Sequence, residues 1–571
     1  MIKRHRSRIR AIRGEDGQLS EDPDTIQRIL ECFFRARWTE QTGSGSPADI
    51  QAPLARVSEE DTAALIRPVT ESEIREVVWS LKGDKALGSD AYVPPCTRLP
   101  TKILAVRLRD ILPRLINPEQ GAFVGGRSIS DNVLIAQEFM FDLGRASNRK
   151  SFMGIKLDIE RAYNRMGWDF VQQSLQEFVF TQELEVYWPV PGATAISHLL
   201  YTDDCLLLVR LTRQAARVIW RILRDYYAVS GQRVNVTNSA ICFSSKTRPA
   251  VKTSILEILG VGEQEGMLRY PGVSLSGRRL RSRDCSSLEL SIRHRLEGWQ
   301  MHSLSMMGRI TLVRSVLSSI PIYLLSNSFI PVVLVRTLEQ MFRDFIWGRG
   351  RGRRGIHLLA WKVVCQTIRY GGLGVQSLVA RWKALVVRHA ARFVLESDGM
   401  WSSLLRAKYG VLVPAVRAGW HHSLVWREIC ARAALVLLEV RWAIGDGRSI
   451  DVLEDTWVTE QSIGQLPTMV DTSRLAGYRV SDLMDPGGGR WQEGLIRETF
   501  GEHLAEMVLA LPVPFRERSD RMVLMPTGRS QVRARDLQAL VSREPARRIE
   551  GGWIWRLRIH PRVAIFLWKV A

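Results

Sequence analysis

Cysteine is sparse in this chain. Its seven residues, Cys32, Cys96, Cys205, Cys242, Cys285, Cys365 and Cys430, form no CxxC pair and no Cys/His ligand spacing. That argues against a structural zinc site and for a reducing compartment. Uninterrupted apolar runs are also lacking. The best candidate, roughly 312–337, contains Arg314, Pro321, Pro331 and Arg336 and reads as a buried bundle helix, not a membrane span. The N-terminus is too charged to be a secretory signal and has no apolar core. There is no internal repeat and no long low-complexity run. Acidic residues fall short of basic ones, 59 against 80, leaving a net charge of +21 and a pI near 10.1. Such an excess points to a polyanionic partner. Nucleic acid is the leading reading, because basic groups displace phosphate counterions, and a membrane surface is the rival.

What is present is enough to fold. The 571 residues, 46% hydrophobic, can bury a sizeable core and suffice for roughly two to four domains. Residues 1–14 are basic and read either as a nuclear signal or nucleic-acid arm, or as a solvated charged helix. Residues 21–38 have helical spacing. Glu71–Leu81 predicts an amphipathic helix capped by Thr70 or Ser72. Short apolar runs then alternate with helical segments to about 245, an α+β pattern. After about 285 the chain reads as helical over 286–299, 306–318, 331–346 and 375–397. Beyond about 440 the elements shorten, Gly-rich turns enter at 445–449 and 486–490, and Trp is frequent, so a boundary is expected there.

Two local patterns could carry chemistry. Phe152–Asp158 is an apolar strand ending in a carboxylate, and Ile159–Phe170 then continues as a helix. His198–Val209 places Tyr201-Thr202-Asp203-Asp204 between two apolar runs, a β-hairpin with two acids at its turn. Nucleotidyl transfer with two Mg²⁺ ions needs acidic oxygens on rigid strands, with the metals about 3.5–4 Å apart. An acid at a strand end beside an acidic hairpin meets that need. On pattern alone, paired Asp in a turn is usually just a turn, because Asp favours such positions.

At these residues the sequence resembles the reverse transcriptase of plant LINE-type (non-LTR) retrotransposons. KLDIERAYNR (156–165) resembles motif A and HLLYTDDCLLL (198–208) the YxDD motif C. QGAFVGGRSISDNVLI, from 120, resembles the stretch preceding motif A. SGQRVNVTNSAICFS (230–244) resembles motif D, and RYPGVSLSGR (269–278) the primer grip. Segments 296–326, 353–378 and 441–458 resemble the helical and later regions of such proteins. Segment 555–571 resembles the opening of the zinc-binding region, so the likeness covers nearly the whole chain.

The resemblance implies an α+β right-hand polymerase with truncated fingers, a palm and a helical thumb, followed by a smaller α+β C-terminal region. In residues, this is a basic helical linker region over 1–60, fingers and palm with internal deletions over 61–280, a helical thumb-like region over 281–400, and a C-terminal region over 401–571 leading into a truncated zinc-binding domain. It implies Asp158, Asp203 and Asp204 as catalytic acids holding two Mg²⁺ ions. Tyr163, Tyr201 and Gln232 become substrate-binding residues, with Tyr163 as an aromatic gate against a ribose 2′-hydroxyl or, without the motif, a core aromatic. The implied partners are an RNA template, a DNA primer and dNTPs, with no membrane, in the nucleus or cytoplasm. The chain is expected to begin after the endonuclease region and to stop before the Cys/His ligands, so no zinc is expected.

The sequence also departs from the family pattern. Only 45 positions separate Asp158 from Asp203. The family's interval is longer and contains motif B, with a Gly-x-x-Gln-Gly turn that FVFTQELEVYWPVPGATAIS (178–197) lacks. A second gap, between 85–92 and 99–112, removes an Arg-Pro-Ile-Ser-like strand. Asn164 stands where Asp is usual, and Asn238 stands where motif D has a Lys; an amide cannot protonate a leaving group. Pro271 interrupts the primer-grip strand. Misplacing reacting groups by about 1 Å can cost on the order of 100-fold in rate, so little polymerase activity is expected. The alternative is a non-catalytic nucleic-acid-binding relict. A maturase-like splicing factor also has a YxDD core, but 353–378 and 555–571 argue against it.

Overall fold

The computed structural model describes residues 12–13, 19–20, 22, 24–28, 58–80, 95–159, 187–299, 304–348, 357–541 and 553–570, apart from short gaps inside those ranges. The fold is mixed α+β and divides into two compact units. The first comprises residues 1–132, 143–188 and 195–271; the second comprises 133–142, 189–194 and 272–571.

In the first unit, the basic N-terminal stretch is extended where it is described: Ile12–Arg13 pairs antiparallel with Leu19–Ser20. Of the helix read over 21–38, residues 24–28 are helical and most of the remainder lies outside the described residues. Helix Glu71–Ser80 forms as its periodicity predicts, and Thr70 is its cap. The Glu73 amide donates to Thr70 Oγ1 at 3.3 Å while the Thr70 amide donates to the Glu73 carboxylate at 3.4 Å, a reciprocal arrangement that satisfies two otherwise orphaned donors.

The centre of this unit is a five-stranded sheet. Its strands are β1 (Phe152–Asp158), β2 (His198–Tyr201), β3 (Asp204–Arg210), β4 (Ala240–Phe243) and β5 (Gly262–Glu263), in the order β2-β3-β1-β4-β5. All pairs are antiparallel except β4 with β5. Alternation sets the two faces. Met153, Ile155, Leu157, Val209 and Ile241 form one face and are buried against Ala215, Ala216 and Ile219 of helix Arg213–Ser230 and Ile255 of helix Pro249–Leu259. Helix Arg213–Ser230 turns Arg213, Arg217, Arg221 and Arg224 to solvent, which makes it strongly amphipathic. The other face carries Lys156 and Asp158 beside Asp204 and Leu206.

The second unit is mostly helical. Helix Leu378–Leu395 buries Leu378, Ala384–Val387 and His389–Phe393, residues on nearly all sides, so it is a core helix enclosed by neighbours. Those neighbours include helices Ile322–Asn327, Val332–Ile346, Leu424–Cys430 and Ala534–Val541. The segment Met306–Asn327 is long and apolar enough, by composition, to cross a membrane. It carries Arg309 and Arg314, a π-helical turn at Val313–Leu317 and Pro321, and it buries Ile310, Val313, Leu317 and Leu325. That burial makes a core role the better physical account. Short strand Leu268–Tyr270, which belongs to the first unit, ends before Pro271, where an interruption was expected; Gly272, with a φ of +71°, and strand Val273–Leu275 belong to the second unit.

Within the second unit, a buried ionic cluster ties helix Met400–Tyr409 to residues 138 and 142. Lys408 Nζ lies 2.9 Å from Glu138 and 2.7 Å from Asp142. The Tyr409 hydroxyl donates to Glu138 at 2.9 Å and the Ser423 hydroxyl donates to its other oxygen. Burial works against the Lys408 ammonium, but the facing Glu138 and Asp142 charges outweigh it and raise its pKa above the usual lysine value.

Towards the C-terminus, strand Val440–Ala443 pairs antiparallel with Arg521–Leu524. A separate apolar cluster gathers Ile450, Val452, Trp457, Leu475, Leu483, Ile496 and Phe500. The Gly-rich turn at 445–449 is built around one carboxylate: Asp520 accepts from the amides of Gly445 at 2.7 Å, Gly447 at 2.9 Å and Ser449 at 2.8 Å.

Candidate active site

Two of the three predicted acids meet in register. Asp158, the last residue of β1, is the direct cross-strand partner of Asp204, the first residue of β3, and Asp204 is also the partner of Tyr201 on β2. Directly opposed residues have Cβ atoms roughly 4.5–5.5 Å apart, and like charges there repel. The sheet answers with its own cation: Lys156, two residues before Asp158 on the same face, places Nζ 3.1 Å from Asp204 Oδ1. Asp203 lies outside the described residues, as do Tyr163 and the helix expected after Ile159.

The hairpin turn is strained at a described position. The Tyr201–Asp204 pair leaves a two-residue connection, and Thr202 takes a φ of +56°. A β-branched residue in the left-handed region is an outlier that the surroundings must over-determine. Asn tolerates that region without the extra unfolded-state freedom of glycine. Thr202→Asn is therefore expected to stabilise the protein by roughly 0.5–1 kcal/mol. A urea midpoint that stays put or falls would refute this.

Asp158 is held by the segment resembling motif D. Its amide donates to Ser239 Oγ at 3.1 Å, and its carbonyl accepts from the Asn235 amide at 2.8 Å. Asn238, the residue standing where a lysine was expected, donates through Nδ2 to Asp158 Oδ2 at 3.1 Å. It therefore holds the first acid in place. Burial, reinforced by the neighbouring Asp204 charge, pushes the Cys205 thiol up to about 12 and keeps it a protonated, inert wall residue.

Gln232 is 3% exposed. Its side-chain oxygen accepts from the Tyr226 hydroxyl, and its amide donates to Ser230 Oγ at 3.1 Å, so it closes the end of helix Arg213–Ser230. Burial pushes the Tyr226 phenol up to about 12. Tyr201 is half-buried beside the acids.

Sequence reading missed two residues that fix the hairpin. Leu200, one residue before Tyr201, exchanges backbone hydrogen bonds with the segment at Gln120: its amide donates to Glu119 O at 3.0 Å, and the Gly121 amide donates to Leu200 O at 2.9 Å. Asn132 is 1% exposed, and its Nδ2 donates to both Leu200 O at 2.9 Å and Glu119 O at 3.0 Å. A Cβ on Gly121 would come within 3.0 Å of that nitrogen, so glycine lets the latch close. Arg127 turns inward and donates to the carbonyls of Gln120, Pro113 and Ile116. Asn132 and Arg127 lie in 120–135, the stretch the resemblance marks out, which gave location without role.

Among the described residues, the site thus offers two opposed carboxylates, and no cluster of three His, Cys, Asp or Glu is placed to hold a metal. This donor set suits Mg²⁺, which takes one or two carboxylates and fills its remaining positions with water and phosphate oxygens. Lys156 would have to yield its place on Asp204.

No family model matches the chain. It is 30% identical over 296 residues to an Arabidopsis thaliana protein with a provisional ribonuclease H name, a match covering 48% of this chain and 46% of that protein. It is 26% identical over 147 residues to an uncharacterized mitochondrial protein of Arabidopsis thaliana, 25% of this chain and 96% of the relative. It is also 21% identical over 374 residues to the uncharacterized 149 kDa protein of transposon TX1 from Xenopus laevis, 55% of this chain and 28% of that protein. The chain thus covers less than half of the first and about a quarter of the last. Together the similarities support a retrotransposon-derived protein.

Proposed function

We propose that this chain descends from the RNA-directed DNA polymerase of a non-LTR retrotransposon. In this reading the five-stranded sheet is its palm, the helices that follow its thumb, and Asp158, Asp203 and Asp204 its metal-binding acids. The observation that carries the proposal is the cross-strand register of Asp158 with Asp204 beside a strained two-residue turn. Two strands and a tight hairpin hold the acids rigidly, which suits positioning an attacking hydroxyl and a departing phosphate. Magnesium, when bound by these acids, supplies activation of a primer 3′-hydroxyl and neutralisation of the leaving pyrophosphate. The chain's own groups then have defined tasks. Asn238 orients Asp158, Lys156 balances Asp204 when no ion is held, and Tyr201 walls the site. RNA template, DNA primer and dNTPs are the proposed partners, with action in the nucleus or cytoplasm.

A relict with weak or no chemistry is favoured over an efficient enzyme by one specific pair of contacts. Lys156 sits on Asp204 and an amide, not an ammonium, sits on Asp158. The amide has no proton to give to pyrophosphate, and the Lys156 ammonium is engaged by Asp204. Primer extension on an RNA template with Mg²⁺ and dNTPs is expected to stay at the level of the Asp158→Asn variant, while RNA binding persists in both. Extension by the wild type that disappears with Asp158→Asn would show a working polymerase and overturn the relict reading. Failure of both proteins to bind RNA would overturn RNA as the partner of this chain.

A further inference from the structure

The second unit contains a cleft of about 520 Å³ lined by Arg314, Ser315, Ser318, Gln376 and Arg381, together with Thr311 and Gly374. Its wall is shaped by the π-helical turn Val313–Leu317. There the Ser318 amide reaches back five residues to Val313 O at 2.9 Å, in place of the regular four. Such bulges are rare, occur mostly as single turns, and gather at functional sites. Ser318 Oγ, buried, donates to the same carbonyl at 2.7 Å, and Ser315 Oγ donates to Thr311 O at 2.7 Å. Both hydroxyl protons are spent on backbone.

The positive charge is uncompensated within the cleft. No Asp or Glu lines it, and among the described residues neither arginine forms a salt bridge. Arg381 donates to Gln376 Oε1, which fixes its guanidinium at the rim. Gly374, also in the lining, takes a φ of +65° and lies beside Arg314: a Cβ there would touch Arg314 Cζ at 3.7 Å and crowd Ile368 Cγ1 at 3.3 Å. The nearby start of helix Leu378–Leu395 is already served. Ser377 Oγ accepts from the Ala380 amide at 3.2 Å, and Glu339 accepts from Val379 at 3.2 Å. Recognition in the cleft therefore falls to the side chains, and to the two guanidinium forks above all.

We infer that this cleft binds a phosphate group, and specifically a backbone phosphate of a nucleic-acid strand, held between Arg314 and Arg381. A cavity of this size falls within the roughly 300–1,000 Å³ of small-ligand pockets and exceeds what one phosphate fills, leaving room for the flanking sugar. A chain of net charge +21 supplies the long-range attraction that brings a strand to it. The site is independent of the carboxylate pair, and a chain without polymerase activity can still use it.

The test is binding of a fluorescently labelled single-stranded RNA to the full chain, in EDTA, across a NaCl series. Wild type is compared with Arg314→Gln, Arg381→Gln, Arg314→Lys and, as a charge control, Arg336→Gln, an exposed arginine outside the cleft. Each cleft glutamine variant is expected to bind roughly three- to tenfold more weakly and to lower the slope of log K against log salt by about 0.7, one strand phosphate. Arg314→Lys, which keeps the charge but not the fork, should hold the wild-type salt slope with an affinity between wild type and Arg314→Gln, and it also guards against a glutamine variant that misfolds. Equal effects from the cleft variants and Arg336→Gln, or no effect from the cleft variants, would overturn the inference. Competition by inorganic phosphate at constant ionic strength, lost in Arg314→Gln, would assign the cleft to a free phosphate. A cleft-specific slope change without that competition assigns it to the strand. No magnesium is present and no chemistry is read, so the outcome stands apart from the fate of the polymerase proposal.

Discussion

Replacing Lys408 by methionine should cost the second unit about 3–5 kcal/mol, because it leaves Glu138 buried and uncompensated. Glu138 is 1% exposed, and apart from Lys408 only the neutral hydroxyls of Tyr409 and Ser423 donate to it in the described cluster. Two hydroxyls solvate a carboxylate less well than the bulk water it left. Asp142 is better placed to bear the loss, since its side chain is 23% exposed and reaches water. The double variant Lys408→Met/Glu138→Leu should recover much of the deficit, because an apolar pair removes both charges from the interior. Urea unfolding of the three proteins measures this directly. A single variant within 1 kcal/mol of wild type, or a double variant no better than the single, would show that Glu138 is already neutral and that the cluster is held by hydroxyl hydrogen bonds alone.

Gly445→Ala should be comparably damaging, roughly 3–5 kcal/mol, through sterics. A Cβ at 445 would sit 2.2 Å from Arg518 O and 2.4 Å from the Ser519 carbonyl carbon, and neither backbone atom can swing away as a side-chain tip can. Moving that segment also displaces Asp520, so three amides of the 445–449 turn lose their acceptor together. Gly447 is needed for a second reason, since it combines a φ of +71° with a would-be Cβ only 2.6 Å from the Ser481 amide. Hydrogen exchange should show lost protection around Trp442, Trp457 and Trp491, with helix Leu378–Leu395 less affected. Unchanged exchange in the alanine variant would mean that the chain at 518–519 relaxes freely.

Local features were legible in the sequence wherever a period or a turn carried them. The apolar runs in Phe152–Asp158 and His198–Val209 marked β1, β2 and β3, and the helical spacing anticipated Ser286–Gly298, Val332–Ile346 and Leu378–Leu395 to within a few residues. The register that sets Asp158 against Asp204 was a consequence of strand ends, which sequence can suggest. Partnerships across long separations were not legible. Asp520 reaches amides about 75 positions away, Lys408 reaches Glu138 across 270, and Asn132 reaches Leu200 across 68. No period encodes such pairs, because each depends on how separate elements happen to pack. Asn238 shows the same limit from the other side. Its identity was read as a lost proton donor, and only the fold reveals its bond to Asp158.

The ion pair between Lys156 and Asp204 has a bearing on how such a chain persists through time. Opposed carboxylates that depended on a divalent ion would strain the sheet whenever the ion was absent, and descendants without chemistry would shed one acid to relieve it. A resident counter-ion removes that pressure. With that pairing the two aspartates cost the fold little, so selection for chemistry is not needed to keep them. Under the proposed descent, their presence would record ancestry without dating the last turnover.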